Sequence, residues 1–99
     1  MNTIRKESTL QELKQFQQES GFRYGILSLG LFGSVARDTA KEDSDIDIVV
    51  QLKEPNLLTL SRIRMELEER LQRPVDLVSY RERMNAFLKN RIQKEACYV

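Results

Sequence analysis

Residues 31–50, LFGSVARDTAKEDSDIDIVV, decide the fold that we predict for this chain of 99 residues. An apolar stretch runs into Gly33 and Ser34, ten residues follow, and Asp45-Ile46-Asp47 then opens a second apolar stretch. Both stretches have the composition of buried strands. The segment therefore predicts a strand, a tight turn leading into a short helix, and a second strand that begins with two acids.

The patterning on either side of this segment predicts one domain over residues 1–99 with the element order αβαβαβα. Ser8 or Thr9 is expected to cap a first helix that ends at Gly21. Strands are expected over 24–32, 45–52 and 75–79. Further helices are expected over 34–40, 57–71 and 84–96. The predicted fold class is α/β (α+β): a small mixed sheet of at least three strands, with helices packed mainly on one face.

Composition excludes several kinds of chemistry and of location. The chain has no histidine, which rules out an imidazole base or ligand and a cysteine nucleophile activated by histidine. The single Cys97 fits a reducing cytoplasm, and neither a secretion signal nor an apolar run of bilayer length is apparent. With 16 basic and 15 acidic residues, the net charge of +1 is too small to predict general nucleic-acid binding.

Three acids are the candidate metal ligands. Because side chains alternate along a strand, Asp45 and Asp47 should share one face, about 7 Å apart, while Ile46 and Ile48 point to the other. Asp76 alternates with apolar residues in a third predicted strand, VDLV over 75–78. Three carboxylates with no nitrogen or sulfur ligand favour Mg²⁺ or Mn²⁺, and such a site can hold two ions for phosphoryl transfer.

Gly33 and Ser34 are the candidate phosphate-binding residues. Glycine after a strand allows a sharp turn and a close approach by a bulky ligand, and backbone N–H groups at a helix start attract phosphate. Arg37 either neutralises phosphate charge or ties down the turn through a carboxylate. The basic stretch over 81–94 suggests an anionic partner or is an ordinary solvated helix face.

These residues resemble the nucleotidyltransferase superfamily related to DNA polymerase β, and in particular its minimal nucleotidyltransferases, the MntA-type antitoxins. The similarity spans nearly the whole chain and is carried by residues 31–37, 44–47, 75–78 and 95–99. It implies that Ser34 contacts the phosphates of ATP, and that Asp45, Asp47 and Asp76 bind the metals. Asp76 is further expected to help deprotonate the acceptor hydroxyl.

The resemblance also implies a partner, a HEPN-type ribonuclease toxin encoded nearby, which would be silenced by AMP placed on a tyrosine. A domain of this size lines only one wall of a cleft, so the acceptor should arrive on another protein. Where the family usually has glycine after Ala-Arg, this chain has Asp38, a residue type that tolerates the left-handed conformation.

Two other functions are open at this point. The chain is alternatively a stoichiometric antitoxin whose nucleotide site is vestigial, which Asp38 favours, or a nucleotidyltransferase that acts on a small molecule or an RNA. A homo-oligomer and a hetero-oligomer are both compatible with the sequence.

Overall fold

A computed structural model describes residues 5–40 and 44–99 of the chain. The helices are α1 (Lys6–Tyr24), α2 (Gly33–Ala36), α3 (Leu57–Leu71) and α4 (Ala86–Glu95). The strands are β1 (Ile26–Phe32), β2 (Ile46–Leu52), β3 (Val75–Ser79) and β4 (Cys97–Tyr98). The predicted order of elements is confirmed, and β4 is an additional strand that the sequence pattern did not predict.

The four strands form one mixed sheet in the order β3-β2-β1-β4. β1 pairs antiparallel with both β2 and β4, whereas β2 and β3 are parallel and are joined through α3. A parallel pair requires a crossover connection, which α3 supplies. The predicted mixed sheet is thus confirmed, and it places the N-terminal ends of β2 and β3 beside the turn that follows β1.

One surface of the sheet, which we call the core face, packs against α1 and α3. Alternate residues of β2, such as Ile46, Ile48 and Val50, are buried here with Phe16 of α1 and Leu67 of α3. Each fully buried side chain of this size contributes roughly 1.5–3 kcal/mol relative to an exposed one. This face therefore supplies most of the hydrophobic stabilisation of the fold.

The opposite surface, which we call the acidic face, has a smaller apolar cluster. Phe32, Val49 and Ile92 are buried together, with partly buried side chains such as Val78 around them. α4 contributes Ile92 to this cluster and so covers the sheet from the side opposite to α1 and α3. Two of the three long helices lie on the core face, in agreement with the prediction of helices mainly on one face.

The ends of α1 differ from those predicted. The helix continues through Gly21 to Tyr24 and is capped by Gly25, which adopts a left-handed conformation with φ +67°. Gly21 is buried inside the helix, where a Cβ would lie 2.6 Å from Oε1 of Gln17. At the other end, Ser8 and Thr9 do not cap the helix, because both hydroxyls donate to the carbonyl of Arg5 from within the first turn.

α3 and α4 begin with the caps that their sequences provide. The side chain of Asn56 accepts hydrogen bonds from the N–H groups of Leu58 and Thr59, and Asn85 accepts one from Leu88. Such caps satisfy backbone donors that have no partner within the helix.

Within the described residues, no helix is long and apolar enough to cross a membrane.

Candidate active site

The turn after β1 is held in a conformation that favours glycine. Gly33 has φ +76°, and its carbonyl accepts a hydrogen bond from the N–H of Arg37 at 3.1 Å. Ser34 follows at the start of α2 and is half-buried, and its carbonyl accepts from the N–H of Thr39 at 2.9 Å. α2 is only four residues long, shorter than the helix predicted over 34–40, because the chain turns at Asp38.

Gly33 also lies against the candidate metal-binding residue Asp47. A Cβ added to Gly33 would lie 2.0 Å from Oδ2 of Asp47, far closer than atoms can approach. Glycine is therefore required here for two reasons, the positive φ and the proximity of this carboxylate. The turn predicted to bind phosphate and the strand predicted to bind metal thus meet at one point.

Asp47 and Asp76 are cross-strand neighbours. They are register partners in the parallel pair of β2 and β3, and adjacent strands lie about 5 Å apart. Both belong to the acidic face, since their neighbours along the chain, Ile46, Ile48 and Val75, are buried on the core face. The prediction that the third strand brings Asp76 beside the Asp45–Asp47 segment agrees with this register.

Asp45 lies one residue before β2 and is exposed, as is Asp76. Across residues 5–40 and 44–99, no three metal-ligating side chains converge closely enough to hold an ion in their present orientation. The candidate ligands Asp45, Asp47 and Asp76 are nevertheless all carboxylates, and Asp47 and Asp76 are adjacent. Carboxylate oxygens are ligands that Mg²⁺ and Mn²⁺ prefer. The three-acid site therefore stays a prediction.

The electrostatics of Asp47 reflect the crowding of acids. Burial raises the pKa of Asp47 above its usual range, and the negative charges of Asp76 and Asp45 raise it further. The guanidinium groups of Arg91 and Arg37 act in the opposite direction. A carboxylate that is hard to ionise beside a second carboxylate is typical of a site that gains stability when a cation binds.

Arg37 follows α2 and forms an ion pair with Glu95, the last residue of α4. Its Nη1 lies 2.9 Å from Oε1 of Glu95, and the same oxygen accepts a hydrogen bond from the N–H of Gly33 at 3.2 Å. Arg91, one turn earlier in α4, approaches that oxygen at 3.9 Å. Neither Glu95 nor Arg91 was among the predicted site residues, because no local pattern links them to a turn about 60 positions away.

Asp38, the residue in place of the usual glycine, adopts φ +57°. Its carboxylate accepts a hydrogen bond of 3.4 Å from the N–H of Lys6, which begins α1. Asp38 thus caps the first helix, which has no side-chain cap of its own. The negative charge is directed to α1, where the helix dipole favours it.

A glycine turn that touches an acid, with a second acid beside it and an arginine on the same turn, suits an enzyme that transfers phosphate-containing groups. The sequence profile of the Nucleotidyltransferase domain family matches residues 10–99. The chain belongs to this family, and it is a nucleotidyltransferase.

Known proteins of high similarity have the same class of activity in their names. The protein adenylyltransferase MntA of Thermococcus cleftensis is 39% identical over 100 residues, which cover 92% of this chain and 96% of that protein. A solved structure of a candidate minimal nucleotidyltransferase is 32% identical, covers 98% of each chain and superimposes with a TM-score of 0.80. The predicted resemblance and the predicted fold are both confirmed.

A more distant neighbour has the same fold in a complex. A solved structure described as a tri-AMPylated Shewanella oneidensis HEPN toxin in complex with MNT antitoxin matches at a TM-score of 0.57 and 20% identity. The match covers 86% of this chain and 70% of that chain. At this identity the similarity concerns the fold alone.

Proposed function

We propose that this chain is a Mg²⁺-dependent protein adenylyltransferase that transfers AMP from ATP to a tyrosine hydroxyl of a HEPN-type ribonuclease toxin encoded nearby, and so acts as its antitoxin. The observation that carries the proposal is the contact between the Gly33 turn and Asp47, with Asp76 as the cross-strand neighbour of that acid. This contact would bring bound phosphates and a carboxylate site together.

In this mechanism the Gly33–Ser34 turn receives the triphosphate of ATP, and Arg37 offsets part of its charge. Asp45, Asp47 and Asp76 would hold one or two Mg²⁺ ions, or Mn²⁺, which when bound neutralise charge that develops on the phosphates. Asp76 accepts the proton of the acceptor hydroxyl. The hydroxyl oxygen then forms a bond to the α-phosphorus, the bond to the pyrophosphate breaks, and pyrophosphate leaves.

The exposure of the acids supports a protein as acceptor. Asp45 and Asp76 are exposed, and Asp47 is half-buried, so the part of the acidic face that carries these acids forms one open wall rather than a closed cleft. A macromolecular partner would supply the other wall and exclude water from the reaction. The name protein adenylyltransferase of the MntA relative, and the AMPylated toxin in the more distant complex, support this choice of acceptor.

The test uses a doubly substituted variant, Asp45→Asn with Asp47→Asn, and a purified HEPN-type partner incubated with Mg²⁺ and ATP labelled at the α-phosphate. We expect labelled partner with the wild-type chain and at least about a hundredfold less with the variant, because charge stabilisation of this kind contributes at least that much. A matched control removes two exposed acids elsewhere, Glu54→Gln with Glu69→Gln, and should retain labelling.

Three outcomes would contradict the proposal. If the wild-type chain binds the partner but transfers no AMP, or if the Asn variant protects cells from the partner as well as wild type does, the chain acts as a stoichiometric antitoxin. Labelling of an RNA or of a small molecule, and not of the protein, would identify a different acceptor. The Asp38 carboxylate accepts a hydrogen bond at the start of α1. Its negative charge is therefore engaged there rather than with the triphosphate, which supports an enzyme over a stoichiometric antitoxin.

A further inference from the structure

Glu95 is in an electrostatically unfavourable position for an acid. It is the last residue of α4, where the helix dipole is negative and a basic side chain is preferred. Its side chain is also largely covered, with 23% exposed. A partly buried carboxylate at this end of a helix requires positive partners close by.

Those partners come from the candidate active site. Oε1 of Glu95 accepts from the N–H of Gly33 at 3.2 Å and from Nη1 of Arg37 at 2.9 Å, and Nη2 of Arg91 lies 3.9 Å away. One oxygen thus joins the backbone of the turn, the arginine at its end and a helix from a distant part of the chain. We call this set of contacts the Glu95 clip.

The backbone of Glu95 is itself fixed in place. Immediately after it, β4 pairs with β1, with Cys97 opposite Leu31 and Tyr98 opposite Gly30. The N–H of Ala96 donates to the carbonyl of Ile92, which keeps the last turn of α4 intact. The carboxylate is therefore attached to a rigid element, which is a requirement for positioning another group.

Without the clip, the two arginines would have competing partners. The guanidinium of Arg91 lies 5.7 Å from the ring centroid of Phe32, which is the register partner of Asp47. Arg37 ends the turn whose Gly33 lies against Asp47, so both arginines lie next to the acidic face. A guanidinium released from Glu95 would pair with Asp47 or Asp76, because opposite charges attract most strongly where water is partly excluded. Such a pair would occupy the carboxylate oxygens that a divalent cation requires.

We propose that Glu95 is a positioning residue: it holds the Gly33 turn and Arg37 in the geometry that receives the triphosphate, and it keeps Arg37 and Arg91 away from the metal-binding acids. The inference rests on the proposed function, since it assigns a role in binding Mg²⁺-ATP. Glu95 itself touches neither the nucleotide nor the metal in this account.

The experiment compares Glu95→Ala and Glu95→Gln with wild type in two measurements on the full chain. Amide hydrogen exchange followed by NMR reports the hydrogen bond of Gly33 without any ligand. Calorimetric titration with Mg²⁺ and α,β-methylene-ATP, which does not release pyrophosphate, reports nucleotide affinity. Glu82→Gln is the matched control, because Glu82 pairs with Lys89 at 3.0 Å and does not contact the turn.

For Glu95→Ala we expect the Gly33 amide to exchange faster and the analogue to bind about tenfold more weakly, the size of one lost charge-assisted hydrogen bond. Glu95→Gln retains an oxygen acceptor for Gly33 but no charge. It should therefore keep the slow exchange and lose about threefold in affinity, a partial rescue that a purely structural residue would not show. Glu82→Gln should match wild type in both measurements.

Unchanged affinity in Glu95→Ala, or unchanged exchange of the Gly33 amide, would overturn the inference. If Glu95→Ala fails to fold, Glu95→Gln decides, since wild-type affinity in that variant contradicts a role for the charge. Failure of the wild-type chain to bind the analogue would contradict the proposed function and with it the role in nucleotide binding. If the Gly33 amide then still exchanges slowly in wild type and fast in Glu95→Ala, the Glu95 clip anchors the turn but has no role in nucleotide binding.

Discussion

The two faces of the sheet are built from the same strands but have different contents. On the core face, Ile46, Ile48 and Val50 of β2 pack with residues of α1 and α3 in a large apolar cluster. On the acidic face, the residues between them in β2 are Asp47 and Val49, and only Val49 is fully buried. Adjacent positions in one strand therefore carry stability and chemistry separately.

This difference shows how a chain of 99 residues accommodates a charged site. Two like charges on neighbouring strands are destabilising, and partial burial of one of them adds to the cost. The apolar contacts that offset this cost lie on the other side of the same strands, one residue away. The comparison predicts that substitutions on the core face change stability, whereas those on the acidic face change chemistry first.

The largest expected effect is on the free energy of unfolding, and it is measured by replacing one buried isoleucine on each face with alanine. Ile63 of α3 packs in the core-face cluster and Ile92 of α4 in the acidic-face cluster, and both are fully buried. We expect Ile63→Ala to cost about 4 kcal/mol of unfolding free energy and Ile92→Ala about 2 kcal/mol, because half-exposed neighbours around Ile92 can relax into the cavity. Urea denaturation measures both, and equal losses would contradict the division between the faces.

A smaller effect is expected at the Gly33 turn, which lies against Asp47 of the acidic face. Gly33→Ala should cost about 2 kcal/mol and greatly reduce AMP transfer, because the new Cβ would lie 2.0 Å from Oδ2 of Asp47 at a positive φ. Gly25→Ala is the control, since Gly25 also has a positive φ but its Cβ would meet Lys53 only at 3.7 Å. That variant should lose about 1 kcal/mol and retain transfer. If both variants lose transfer equally, the contact with Asp47 has no role in the site.

The smallest effect concerns the charge of Asp47 in the absence of metal. Its raised pKa means that the folded chain binds this proton more tightly than the unfolded chain does. Stability should therefore fall as pH rises from the unfolded value through the folded value, the reverse of a salt-bridged aspartate. Asp47→Asn should raise the melting temperature at neutral pH and not below pH 4. Thermal unfolding in a chelator measures this, with Glu54→Gln as control. A melting temperature lowered at neutral pH would contradict it.

Most of the fold was predictable because its signals are local. The bounds of α3 and β3 agree with the predicted 57–71 and 75–79. An apolar stripe runs along α3, Asn56 caps its start, and Pro74 lies between it and β3. β4 escaped prediction because two residues, Cys97 and Tyr98, have no periodicity. The predicted end of α1 was wrong because the sequence offers two glycines that can end a helix. In the structure Gly21 is buried inside the helix, and Gly25 adopts the left-handed conformation that ends it.

The candidate site divides in the same way. Gly33, Asp45 and Asp47 are detectable from strand and turn patterning within one segment, and Asp76 from its apolar neighbours. The structure agrees on the register of Asp47 and Asp76, while the ligand set itself is a prediction. Glu95 and Arg91 were not predicted as site residues because their roles arise from the tertiary contact of α4 with the turn. The position of the Asp38 carboxylate was not predicted either, because it depends on where α1 begins.

The parallel register of β2 and β3 limits which insertions and deletions this chain tolerates. Shifting β3 by a single residue would turn Asp76 inward among aliphatic side chains and present Val75 or Leu77 next to Asp47. The connection between Gln72 and Val75 is short and begins with a left-handed residue, so length changes there would be transmitted directly to that alignment. The loop over 53–56, which connects β2 to the start of α3, is exposed. Residues added there should leave the alignment of β2 with β3 intact.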